Sequence, residues 1–147
     1  KEPEKTRDAF EGEWSSAGDM AYRDEDGYYF LVDRKANMII TGGEKVYPSE
    51  VEDVLRGHPA VKDAAVIGVP DHKWGEAVKA LVTLHDGCEG TPAVEKQIIA
   101  YCHGRMASFK RPKSVDFIRD SDMPRTATGK VLHSVLRGRY ATDTVKN

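Results

Sequence analysis

The chain has 147 residues, 39% of them hydrophobic and 31% charged, and a net charge of -2. That length suits one ordinary domain, or one domain with a piece of another, and the balance is that of a soluble chain that builds a core. No apolar run can span a membrane, the start KEPEKTRDAF has no secretory pattern, and TDTVKN at the end matches no lipidation or peroxisomal signal.

Charge is unevenly spread. From Lys1 to Asp26 nine acids face four Lys or Arg, whereas from His103 to Tyr140 nine Lys or Arg face three acids. A basic C-terminal third suits an anionic partner or a solvated face. Cys88 and Cys102 sit in unrelated contexts, which reads as reduced thiols of a cytoplasmic protein. His58, His72, His85, His103 and His133 share no ligand spacing, so no metal site is expected.

Along the chain, an acidic lead-in at Lys1–Glu13 and a loop at Trp14–Asp19 precede AYRDEDGYYFLVD. There, Asp26-Gly27 between aromatic runs predicts a β-hairpin. Asp19, after a glycine, reads locally as a turn residue. A charged DRKAN then leads into the apolar Met38–Ile40, the Gly42-Gly43 pair and Pro48. Paired glycines after a β-branched run mean a sharp turn or a close approach of another group to backbone.

Pro48 opens a helix whose Val51, Val54 and Leu55 share a face, ended by Gly57 and Pro59. Val61–Val69 is almost continuously apolar and predicts a strand buried on both faces. Val78, Ala80, Val82 and Leu84 alternate as the next strand. Thr91-Pro92 caps a helix carrying Val94, Ile98 and Tyr101, Val115 and Phe117 mark a third strand, and Leu132, Val135 and Leu136 begin a last helix. The expected fold is α+β: a small domain with a three-stranded sheet and flanking helices, preceded by the hairpin.

Three loops stand out: TGGEK at Thr41–Lys45, SFKRPK at Ser108–Lys113 and PRTATGK at Pro124–Lys130. The last is not a Walker loop, because its first glycine and the hydroxyl residue after the lysine are missing. A lysine ending a flexible Thr-Gly loop can still carry charge to a phosphate or carboxylate.

With WSSAGD, these segments in this order resemble the adenylate-forming superfamily, acyl-CoA synthetases above all, over nearly the whole chain. The resemblance implies residues 1–33 as the tail of a larger β-rich adenylation domain, residues 34–37 as a hinge at Ala36, and residues 38–147 as a C-terminal lid. It implies two half-reactions: a carboxylic acid and ATP give an acyl-adenylate and pyrophosphate, then CoA displaces AMP. Asp19 would bind the ribose hydroxyls, although Ala17 replaces the usual threonine, and Arg34 would contact the nucleotide. Gly42, Gly43 and Glu44 would flank the thiol arm of CoA, while Trp74, Phe109, Arg111 and Lys113 would hold its nucleotide. Trp74 and Phe109 also read as packing aromatics, and Arg111 and Lys113 as a solvated loop. Lys130 would be catalytic, meeting the carboxylate and α-phosphate during adenylation. Magnesium with ATP, and the acid pocket, would belong mainly to the N-terminal domain, the chain's own partner. Such an enzyme would work in the cytoplasm, in fatty acid metabolism, without nucleic acid. A carrier-protein acceptor, or a non-catalytic module that binds a nucleotide or protein, would fit the same residues.

Overall fold

The structure, a computed structural model, describes residues 7, 9–11 and 13–140. The expectations for residues 1–6 and for the terminal TDTVKN lie outside that range. Contacts divide the chain into two units, one ending at Ala36 and the other beginning at Asn37.

In the first unit, β1 (Phe10–Glu11) pairs with β2 (Trp14–Ser15), and β3 (Asp19–Arg23) pairs antiparallel with β4 (Tyr29–Arg34). The β3–β4 connection holds Asp26-Gly27, with Gly27 at φ +92°. The Asp24 carboxylate accepts the Tyr28 N–H at 2.8 Å. Tyr22 and Phe30 stack across the strands with centroids 5.0 Å apart. Such cross-strand aromatic pairs hold an otherwise marginal hairpin together. The segment expected as a loop, Trp14–Asp19, is a strand at both ends, because a two-residue strand such as β2 is too short to show alternation.

The second unit opens with a tight hairpin, β5 (Ile39–Thr41) and β6 (Glu44–Val46). Its two turn residues, Gly42 and Gly43, have φ +58° and +86°, the left-handed pair that a two-residue turn demands. Helix α1 (Pro48–Arg56) follows, with extended Tyr47 as its cap and proline in the first turn. β7 (Val61–Asp71) and β8 (Gly75–Leu84) form a long antiparallel ladder. The Thr91 hydroxyl caps α2 (Pro92–Tyr101) by accepting the Val94 N–H at 3.3 Å. β9 (Ser114–Phe117) lies parallel to β8, and α3 (His133–Arg139) completes the unit.

The sheet therefore has five strands, not the three expected from sequence. The two missed strands are three residues each, below the length at which a period of two becomes visible. Alternation along β7 divides the core. Ala64 and Val66 join Val51 and Leu55 of α1 and Ile98 of α2, whereas Ala65, Ile67 and Val69 join Leu136 of α3 and Met123 from the segment before it. Helices thus cover both faces, which is why β7 and β8 read as continuous apolar runs. Each fully buried Val, Leu or Ile contributes about 1.5–3 kcal/mol.

Candidate functional site

The first unit brings together two of the residues assigned by resemblance to the nucleotide. Asp19 and Arg34 face each other across β3 and β4, with Arg34 Nε 3.5 Å from Asp19 Oδ1. Both are largely exposed, so the pair contributes little to stability and each keeps polar atoms available for a ligand. Ala36 lies in a single 3₁₀ turn, Lys35–Asn37.

In the second unit, the glycine turn and Trp74 form one cluster. The Gly42 N–H donates to the Trp74 carbonyl at 2.8 Å, and Thr41 pairs with Gly75. A Cβ on Gly42 would fall 2.7 Å from Trp74 Cε3, whereas one on Gly43 would meet nothing within 4 Å. The two glycines thus have separate reasons: Gly42 admits the indole, and Gly43 leaves open backbone beside it. Trp74 is itself placed by Asp71, a buried carboxylate at the end of β7 that accepts the N–H groups of Lys73 and Trp74 at 2.8 Å each. The Lys73 ammonium stands 4.8 Å from the indole centroid. Trp74 remains 43% exposed, so its ring both packs and offers an edge to solvent. Glu44 begins β6 opposite Thr41, with its side chain exposed. Asp71 and Lys73 were not picked out from sequence, although an Asp followed by a turn to Trp-Gly carries the signature of a side-chain-capped turn.

The SFKRPK loop is more committed to structure than its charge suggests. Phe109 is half-buried against the core under α1 and α2. Lys110 pairs with Glu50 of α1. Arg111 is half-buried, its Nε donating to the Ser108 carbonyl at 3.4 Å. Of the loop's three cations Lys113 is the exposed one, its backbone anchored by an N–H bond of 2.8 Å to the Val78 carbonyl.

Lys130 ends a closed turn. The Thr126 N–H donates to the Lys130 carbonyl at 2.8 Å, the Lys130 N–H donates to the Thr126 hydroxyl at 3.1 Å, and Gly129 takes φ +84°. The flanking residues Arg125 and Val131 form an isolated bridge. Among the described residues the exposed Lys130 pairs with no carboxylate. The turn is fastened to the sheet through Arg125, which donates to Asp63 at 2.5 Å. Burial pushes the Asp63 carboxyl up, but hydrogen bonds from Arg125 and Arg56 outweigh it and hold the group below the usual aspartate range.

These two regions lie apart. The Lys130 turn is fastened near the start of β7, at Asp63, whereas Trp74 and the glycines cluster beyond its end, at Asp71. Eight residues of strand separate the two aspartates, roughly 26 Å at about 3.3 Å per residue. Among the described residues, no group of three or more His, Cys, Asp or Glu could hold a metal ion. No described helix is long and apolar enough to cross a membrane.

The family comparison covers the greater part of this α+β module, including the Thr-Gly-Lys turn. The model of the AMP-binding enzyme C-terminal domain matches residues 50–130, and the chain belongs to that family. It is 45% identical over 144 residues to the long-chain-fatty-acid–CoA ligase FadD13 of Mycobacterium tuberculosis, covering 98% of this chain and 27% of that protein. It is 40% identical to the fatty acid–[acyl-carrier-protein] ligase ScoC of Streptomyces coeruleorubidus, covering 98% of this chain and 27% of the relative. The crystal structure of ATP-bound MatB from Rhodopseudomonas palustris superposes with a TM-score of 0.82 at 38% identity, covering 95% of this chain and 27% of that one. The chain thus spans about 27% of the length of these relatives. The resemblance to adenylate-forming enzymes holds.

Proposed function

We propose that this chain is the C-terminal part of an ATP-dependent acid–CoA ligase, with residues 38–147 as a lid that turns about Ala36. The observation that carries this reading is the separation of the Lys130 turn from the Gly42–Trp74 cluster along β7. Two reactive surfaces on opposite ends of one rigid sheet cannot address the same substrate atom together, so they suit two successive half-reactions. A fatty acid is the favoured substrate, by similarity to FadD13, and both free cysteines suit a cytoplasmic enzyme.

In the first half-reaction a carboxylate oxygen attacks the α-phosphorus of ATP, and the bond to pyrophosphate breaks. The Lys130 ammonium draws two anions together and offsets the charge that builds on the phosphoryl oxygens. Asp19 and Arg34 hold the nucleotide, and magnesium, held mainly by the N-terminal domain, would supply further charge neutralisation. In the second half-reaction the CoA thiol loses its proton and attacks the acyl carbon, and AMP leaves. Gly43 gives the thiol arm open backbone, Gly42 and Glu44 line the same turn, and Trp74 forms its wall. Phe109, Arg111 and Lys113 serve the CoA nucleotide, with Lys113 the exposed cation for its phosphates.

Similarity to ScoC keeps a carrier-protein acceptor as the second reading. The exposed Lys113 favours free CoA, whose 3′-phosphate the carrier's arm lacks. In the complete ligase, Lys130→Ala should lower acyl-adenylate formation about 100-fold or more, while thioester formation from supplied acyl-adenylate stays within about threefold. Equal loss in both half-reactions would sink the role of Lys130.

A further inference from the structure

Local bonds shape the Lys130 turn but do not aim it. The backbone bonds of Thr126, Gly129 and Lys130 stay within the turn, so these bonds by themselves would let it tilt as a unit on its two stems. Arg125 is the side chain that spans from this turn to the sheet. One arm of its guanidinium, Nη1, donates to the Gly129 carbonyl at 3.3 Å, the peptide that leads into Lys130. The other arm, Nη2, donates to Asp63 Oδ2 at 2.5 Å and stands 3.5 Å from Asp120 Oδ1.

Asp63 is in turn fixed by its surroundings. Its Oδ1 accepts Arg56 Nε at 2.9 Å and the Ala64 N–H at 2.8 Å. Arg56 is gripped by Asp53 at 2.9 Å and by the buried Glu52 at 3.3 Å. A chain of charged pairs therefore runs from α1 through β7 to the peptide preceding Lys130.

We propose that Arg125 and Asp63 are positioning residues for Lys130: the planar fork of Arg125 holds the turn in register with β7, so that the ammonium meets its target without reorienting. For its catalytic half this rests on the ligase reading; the mechanical half does not. Lysine cannot reproduce the fork, because a point ammonium cannot serve a carboxylate and a carbonyl in two fixed directions. A misplacement of about 1 Å at a reacting group can cost on the order of 100-fold in rate.

Two measurements on Arg125→Ala, Arg125→Lys and Asp63→Asn test the proposal. In this chain, amide exchange of Gly129 and Lys130 should quicken about tenfold or more in Arg125→Ala, with Val66 and Ala80 of the sheet unchanged. In the complete ligase, adenylation should fall about 10–100-fold in Arg125→Ala, with Arg125→Lys in between, while thioester formation stays within about twofold. In an Asp63→Asn background, Arg125→Ala should have a smaller effect than in the wild type. Unchanged exchange in the turn, or parallel loss of both half-reactions, overturns the proposal. Should Arg125→Ala fail to fold, Arg125→Lys decides by the same two readouts. A wild-type ligase that makes no acyl-adenylate, with exchange still responding to Arg125, overturns the ligase reading and leaves the clamp supported.

Discussion

The indole of Trp74 lies so close to Gly42 that a single added methyl at Gly42 would stand 2.7 Å from its Cε3 atom. Trp74, Gly42 and Asp71 thereby form one rigid corner, built from residues on two different hairpins. The corner leaves Gly43 as the open backbone at the turn.

The two glycines should therefore respond differently. Gly42→Ala meets both the indole and an unfavourable φ of +58°, whereas Gly43→Ala meets only its φ of +86°. Losses of about 2–4 kcal/mol and about 1 kcal/mol are expected. Denaturant unfolding measures both, and an equal loss would remove Trp74 from the account. In the complete ligase, a bulky Gly43→Val should slow thioester formation more than pyrophosphate release.

Lys113 is assigned to CoA phosphate by its exposure, and the substrate itself supplies a control. Lys113→Ala should raise KM for CoA about five- to tenfold, with little change in KM for 3′-dephospho-CoA. Equal increases for the two substrates would move Lys113 away from the 3′-phosphate.

The Asp63 carboxyl gives a pH dependence of stability. Its folded pKa is depressed, because hydrogen bonds from Arg125 and Arg56 outweigh its burial. A depressed carboxylate contributes stability that is present above its unfolded value, about 3.9, and is lost as pH falls through the folded value. Asp63→Asn should lower the melting temperature at pH 7, and the gap to wild type should shrink below about pH 4. A gap that widened on acidification would refute the charge network.

Glu52 is only 6% exposed, yet it accepts the Val66 N–H at 2.8 Å and contacts His133 Nε2 at 2.7 Å and Arg56 at 3.3 Å. Removing it leaves the Val66 N–H without its acceptor and takes one partner each from His133 and Arg56, at the junction of α1, β7 and α3. Glu52→Ala should cost about 3–5 kcal/mol, and Glu52→Gln, which keeps an acceptor, about half of that. Equilibrium unfolding of both variants tests this ordering.

Much of the fold was legible because its determinants are local. The apolar run Val61–Val69 announced a strand covered on both faces, and Thr91-Pro92 announced the start of α2. Gly42-Gly43 announced either a sharp turn or a close approach, and the structure contains both. The strands β5 and β6 escaped notice because three residues carry no period. Phe109 read from sequence either as a packing aromatic or as an adenine platform, and it packs against the core; Lys110, within the basic loop, is occupied by Glu50.

For this protein, sequence alone determined the order of the longer elements, the family and the placing of Lys130 at the end of a Thr-Gly turn, since these depend on propensity and spacing within short windows. Only the tertiary structure decided that Arg125 reaches Asp63 from 62 residues away, that Trp74 closes on Gly42, and that Glu52 is buried among polar partners. Those contacts join side chains across separate elements, and they exist only once the sheet has set the distances between them.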